Sequence, residues 1–94
     1  MIKLTQTGIG TKDSFAIAGH EIYDSTGSSM LPVQADGDGV ASFRVMGRVA
    51  SDAPWFEIKA AGTADFLESI AWVPQLQLEV LSGTGAVSLW IGEK

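Results

Sequence analysis

The stretch Gln75-Leu76-Gln77-Leu78-Glu79-Val80-Leu81-Ser82-Gly83-Thr84-Gly85-Ala86-Val87-Ser88-Leu89-Trp90-Ile91 decides the fold. On either side of its glycines, apolar and polar residues alternate. Leu76, Leu78 and Val80 stand against Gln75, Gln77 and Glu79, and Val87, Leu89 and Ile91 stand against Ser88 and Trp90. A period of two places successive side chains on opposite faces of a strand, whereas a helix would need apolar spacings of three and four. Such alternation belongs to antiparallel sheets with one wet face. Ser82-Gly83-Thr84-Gly85 reads as the loop of a short hairpin, glycine supplying the positive φ that such loops need.

Outward from this stretch the same period recurs. Ser14 to Ala18 puts Phe15 and Ile17 on one face, and residues 40–49 put Phe43, Val45 and Val49 on one face with Arg44, Met46 and Arg48 on the other. Pro54 to Ala60 alternates Phe56 and Ile58 against Glu57 and Lys59, after a turn at Ser51-Asp52-Ala53-Pro54. Residues 63–72 carry Phe66, Leu67 and Ile70 at helical spacing, but period two on all sides favours a bent strand with Ile70 and Trp72 inward. Asp24 to Gly39 reads as mostly irregular chain, with Met30 to Val33 as a short edge strand. Six to eight short strands with regular turn signals predict an all-β fold, an antiparallel β-sandwich or jelly-roll-like barrel. At 94 residues the chain has room for one hydrophobic core, so residues 1–94 are read as a single domain, with residues 1–10 a candidate N-terminal arm.

Composition narrows the function classes. Hydrophobic residues make up 46 % and charged residues 18 %, which argues against disorder. Six Lys and Arg against eleven Asp and Glu leave a formal charge of −5, a poor match for nucleic-acid phosphates. The absence of cysteine removes disulfides, thiolate catalysis and cysteine-bound zinc. Every apolar run is cut by Pro, Gly or charge well short of the ~20 residues of a membrane helix, and the N-terminal residues lack the pattern of a secretory signal. No cofactor, metal or membrane partner is expected.

Candidate catalytic features are weak. Asp36-Gly37-Asp38-Gly39 fails as an EF-hand, because the twelfth position is Gly47 counted from Asp36 and Ala35 counted from Asp24; a looser calcium site from Asp24, Asp36 and Asp38 competes with a solvated turn. His20, the only histidine, has no residue placed beside it to make a base–nucleophile pair. Gly8-Ile9-Gly10 begins a phosphate-binding fingerprint that lacks its third glycine and its helix. Glu57, Asp65 and Glu79 sit where solvent-facing charges sit.

The aromatic residues carry more information. With Phe56 and Ile58 inward, Trp55 falls on the outward parity, and with Val87, Leu89 and Ile91 inward, so does Trp90; Met46 and Leu81 share the outward face. Outward indoles call for a cover, whether a loop of the same chain, a protein partner or a sugar ring. Burying one indole of about 200 Å² contributes several kcal/mol.

Four further motifs carry a resemblance: Phe43-Arg44-Val45-Met46-Gly47-Arg48, Ala53-Pro54-Trp55-Phe56-Glu57-Ile58, Ile70-Ala71-Trp72-Val73-Pro74-Gln75-Leu76 and Gly85-Ala86-Val87-Ser88-Leu89-Trp90-Ile91. Over roughly residues 40–92 the chain resembles small virion proteins of tailed bacteriophages, of the head decoration or cement type. The resemblance implies a non-enzymatic structural protein, made in the host cytoplasm and resident on the capsid surface. It would bind the major capsid protein, often as a homotrimer, and brace the shell. Trp55 and Trp90 are then the expected interface anchors, with Met46 beside them and Arg44, Arg48 and Glu79 as flanking polar contacts, and residues 1–10 an arm for strand addition to a neighbour. The competing expectations are a carbohydrate- or receptor-binding module using the same aromatics, a tail or baseplate component, and a small hydrolase around His20.

Overall fold

The computed structural model describes residues 1–18, 22–23, 29–37 and 41–92. They form nine antiparallel strands: β1 (Ile2–Thr7), β2 (Gly10–Ser14), β3 (Ile22–Tyr23), β4 (Ser29–Gly37), β5 (Ser42–Arg48), β6 (Phe56–Gly62), β7 (Phe66–Ala71), β8 (Gln75–Ser82) and β9 (Ala86–Ile91). One sheet runs β1-β9-β4, with β7 and the two-residue β3 also paired to β4; the other runs β2-β8-β5-β6. The two pack as a β-sandwich, and no helix occurs among the described residues.

The pairing is nested. β1 pairs with β9, β2 with β8, β4 with β7 and β5 with β6. A long two-stranded ribbon is thus folded over on itself and wrapped around the core, which is the connectivity of a jelly roll. Its first bend lies where Gly8-Ile9-Gly10 crosses Ser82-Gly83-Thr84-Gly85, and the Gly8 amide donates to the Gly85 carbonyl at 3.2 Å. The expected hairpin between β8 and β9 is therefore corrected. These strands belong to different sheets, and the glycine loop is an arch between layers. Both geometries show the same alternation, because in an arch the two apolar faces meet each other instead of lying side by side.

Those faces make the core. Leu76, Leu78 and Val80 of one sheet, and Val87, Leu89 and Ile91 of the other, join Leu31, Val33, Phe43 and Val45 with almost no exposed surface. Burying each such side chain contributes about 1.5–3 kcal/mol. No polar or charged residue is buried among the described residues.

Three further expectations change. Residues 2–7, within the candidate N-terminal arm at residues 1–10, are a strand of the sandwich in continuous register with β9, from Ile2 opposite Ile91 to Thr7 opposite Ala86. Residues 29–37, read as irregular chain with a short edge strand, form the longest strand, flanked by both β7 and β9. Pro32 is tolerated there because its ring nitrogen points to the β9 side, beyond the last β9 pair, where the Pro32 carbonyl accepts from the Gly92 amide at 2.9 Å. Val49, expected inward, is exposed because β5 ends at Arg48. Residues 66–71 are a strand, as the period-two reading favours, with Ile70 buried.

The arch sets a stability test. Gly83 has φ +96°, and a Cβ there would lie 2.8 Å from the Ala41 Cα, whereas a Cβ on Gly62 meets nothing within 4 Å. Gly83→Ala is expected to lose about 2 kcal/mol or more in urea unfolding followed by tryptophan fluorescence. Gly62→Ala should stay within about 0.5 kcal/mol of the parent. Equal midpoints for the two variants would contradict the arch.

Candidate functional site

One end of the sandwich gathers residues 15–18 after β2, 49–55 between β5 and β6, and 72–74 between β7 and β8. Short backbone links hold these loops. The Ile17 amide donates to the Pro74 carbonyl at 2.9 Å, the Trp72 indole N–H donates to the Ile17 carbonyl at 3.1 Å, and the Ala53 amide closes a turn onto the Ala50 carbonyl at 3.1 Å. Trp72, expected inward, is thus a half-exposed strut between two loops. Ala16 adopts φ +55°, a left-handed conformation costly for a residue with a Cβ. That reversal separates its neighbours, so Ile17 is buried while Phe15, expected on the same face, is 51 % exposed.

Phe15 faces the guanidinium of Arg48, 5.9 Å from its ring centroid, and Trp55 stacks on the same group at 4.1 Å. Gln75 Oε1 accepts from Arg48 Nε at 2.6 Å and fixes the plane. Arg48 makes no ion pair with any described carboxylate. Beside it lies an apolar groove of about 320 Å³, lined by Gly47, Arg48, Val49, Ala53, Pro54, Phe56, Ile58 and Val73. A Cβ on Gly47 would lie 2.3 Å from Ile58 Cδ1 and 2.9 Å from Val73 Cγ2, so any side chain there would displace these two.

The inward–outward assignment at residues 55 and 56 is corrected in effect. Phe56 keeps the parity of Ile58 but stands at the mouth of the sandwich, where it is 69 % exposed, while Trp55 is half-covered. Alternation in sequence records parity and is silent about where the facing sheet ends. Val49 and Phe56 were missed as site residues for the same reason, Phe15 because the left-handed Ala16 breaks the alternation, and Gln75 because an outward amide reads as solvated.

The remaining expected interface residues fall elsewhere. Arg44, Met46 and Arg48 line the outer face of β5, in register with Glu79, Gln77 and Gln75 of β8. Arg44 is spent on carboxylates, with Nε 2.5 Å from Glu79 and Nη1 3.1 Å from Glu57; these hydrogen bonds, Glu79 first, hold its guanidinium yet more firmly protonated. Met46, expected beside the interface anchors, keeps its outward parity and is only 8 % exposed. It sits between Arg44 and Arg48 and opposite Gln77 and Glu57, whose long stems flank it on every side. Trp90 lies on the outer face of the other sheet, opposite Lys3 and Gln34, with the Lys3 ammonium 4.9 Å from its ring. Trp55 and Trp90 therefore belong to opposite faces, and a single flat partner cannot cover both.

Lys59 is a further correction. Register shifts in β6 place it opposite the inward Val45, so it turns toward the interior instead of outward. From there its Nζ reaches Glu68 Oε1 of β7 at 2.5 Å and passes 4.9 Å from the Phe66 ring, latching the open side of the sandwich. Of the earlier catalytic and metal candidates, His20, Asp24 and Asp38 lie outside the described residues. Asp36 is exposed at the end of β4, and among the described residues no group of three or more His, Asp or Glu could hold a metal ion. No family model matches the chain, and no curated protein or solved structure matches it either.

The placement of Phe56 has a direct check. Phe56→Ser is expected to change unfolding free energy by no more than about 0.5 kcal/mol, as for an exposed residue. Leu89→Ala, at a site with no exposed surface, should cost about 2–5 kcal/mol. Denaturant titration of both variants measures the contrast, and a Phe56→Ser loss approaching that of Leu89→Ala would put Phe56 back in the core.

Proposed function

We infer that this chain is a non-enzymatic structural protein that docks on a larger protein assembly. The observation that carries the reading is the end of the sandwich where Phe15, Val49 and Phe56 stand exposed and the half-covered Arg48–Trp55 pair lies beside an apolar groove. A small domain that leaves aromatic rings and a groove uncovered at one end has the composition of an interface core, which favours aromatic residues and arginine. The polar ladder on the outer face of β5 and β8, with Arg44 satisfied by Glu57 and Glu79, has the character of a solvated wall.

The more specific form of the proposal is a head decoration protein of a tailed bacteriophage, binding the major capsid protein on the outside of the shell, with a homotrimer the favoured assembly. Support comes from the motifs quoted over residues 40–92, from the jelly-roll connectivity, and from a net charge of −5, which suits an outer surface better than one facing packaged DNA. In a cyclic assembly the two tryptophan-bearing faces divide their roles, the Trp55 end meeting the shell and the Trp90 face meeting a neighbouring copy.

Co-sedimentation with assembled shells of tailed-phage major capsid protein tests the reading. The parent should pellet with the shells, and Trp55→Ala should bind at least about tenfold more weakly with an unchanged unfolding midpoint. Undiminished binding by that folded variant would overturn the role of this end. Absence of any binding by the parent would overturn the capsid assignment.

A further inference from the structure

The unpaired cation at the groove says what chemistry the partner brings, on the premise that this end is a docking surface. Arg48 is built as a receptor. Trp55 lies against its guanidinium, with Cζ 4.1 Å from the ring centroid, and Phe15 approaches at 5.9 Å; its Nε is committed to Gln75, which leaves the terminal nitrogens Nη1 and Nη2 as the donors without a described partner. Arg44 and Lys59 are each paired with carboxylates of this chain, whereas no described carboxylate approaches Arg48 within ion-pair distance. A guanidinium held by a close ring contact and by one hydrogen bond loses little entropy when its free edge donates to a planar anion. Arg48 is also among the residues that line the apolar groove, with Val49, Pro54, Phe56, Ile58 and Val73.

We propose that Arg48 and the adjoining groove form a binding site for an acidic side chain of the partner protein that is followed or preceded by a large apolar side chain. The carboxylate takes the Nη1–Nη2 edge, and the apolar side chain fills the groove against Phe56 and Val73. Charge complementarity selects the carboxylate, because a chain of net charge −5 repels an acidic segment everywhere except beside an uncompensated cation. The dry wall argues against a free polyanion, which would require several converging donors.

The blocked dipeptide N-acetyl-leucyl-glutamate amide is a minimal probe for the intact protein, read by ¹⁵N–¹H spectra of the Arg48 Nε–H and the Trp55 indole N–H. Saturable shifts at both signals are expected. N-acetyl-leucyl-glutamine amide, which lacks the charge, and N-acetyl-glycyl-glutamate amide, which lacks the apolar group, should each bind about tenfold more weakly or worse. Arg48→Lys keeps the charge but loses the stacked fork, and should weaken the glutamate probe by a similar factor. Equal binding of the glutamine peptide, or equal shifts with inorganic phosphate, would overturn the proposal, as would N-acetyl-leucine binding through its terminal carboxylate when the glutamate probe does not. Absence of shifts together with intact co-sedimentation on shells would reject this ligand chemistry while leaving the docking function standing; loss of shell binding with intact dipeptide binding would do the reverse.

Discussion

The glycine arch at residues 82–85 is the constraint on which the rest of the molecule depends. It turns the chain from one sheet into the other, so that Leu76, Leu78 and Val80 face Val87, Leu89 and Ile91 across the interior. Gly83 can make the turn because its φ of +96° is open to glycine and because the backbone of Ala41 leaves no room for a Cβ. Once this bend exists, β1 follows β9 and β2 follows β8, with the Gly8 amide tied to the Gly85 carbonyl at the crossing. Pairings this distant in sequence involve a large loop-closure entropy, so the apolar faces must meet for the fold to form at all.

Closure is uneven around the sandwich. On the β1–β2 side the folded ribbon itself covers the edge. On the β6–β7 side the two edge strands are held by the Lys59–Glu68 pair, both partners part-exposed and so contributing about 1 kcal/mol or less. Register shifts in β6 make that latch possible, and they also spoil the strand as a template for edge-to-edge pairing. Where β5 and β6 run out, no described strand replaces the missing layer, and the groove beside Phe56 is the consequence.

The sequence made the all-β class and the inward faces of β5, β8 and β9 legible, since unbroken alternation has one structural meaning. The layer assignment was not legible. Alternation on both sides of Gly83 is identical for a hairpin and for an arch, and only the long-range pairing of Ile2–Thr7 with Ala86–Ile91 separates them. Residues 29–37 were obscured by Pro32 and Gly37, which signal turns locally; Pro32 is accommodated by the point at which β9 stops, and Gly37 pairs with Val87 while its amide donates to Asp65 Oδ1 at 2.8 Å. Lys59 was misread because a bulge in β6 reverses parity without changing composition. Of the candidate site, Arg48 and Trp55 were legible as outward residues, but their stacking on each other was not, because it depends on a loop folding back from residue 55 onto β5.

Arg44 and Arg48 make the functional argument within one strand face. They lie on the same outer row of β5, in equivalent register with β8, and they differ in what β8 sets opposite them. Arg44 meets the carboxylate of Glu79 and gains a second from Glu57; Arg48 meets the amide of Gln75, which accepts a hydrogen bond and leaves the charge uncompensated. A glutamate opposite Arg48 would complete the polar ladder and would neutralise the cation, so folding alone gives no reason for the amide. The same arginine is also the one that two aromatic rings, Trp55 and Phe15, approach, and it lines an apolar groove. Orientation without neutralisation is the property expected of a cation whose counter-charge belongs to another molecule.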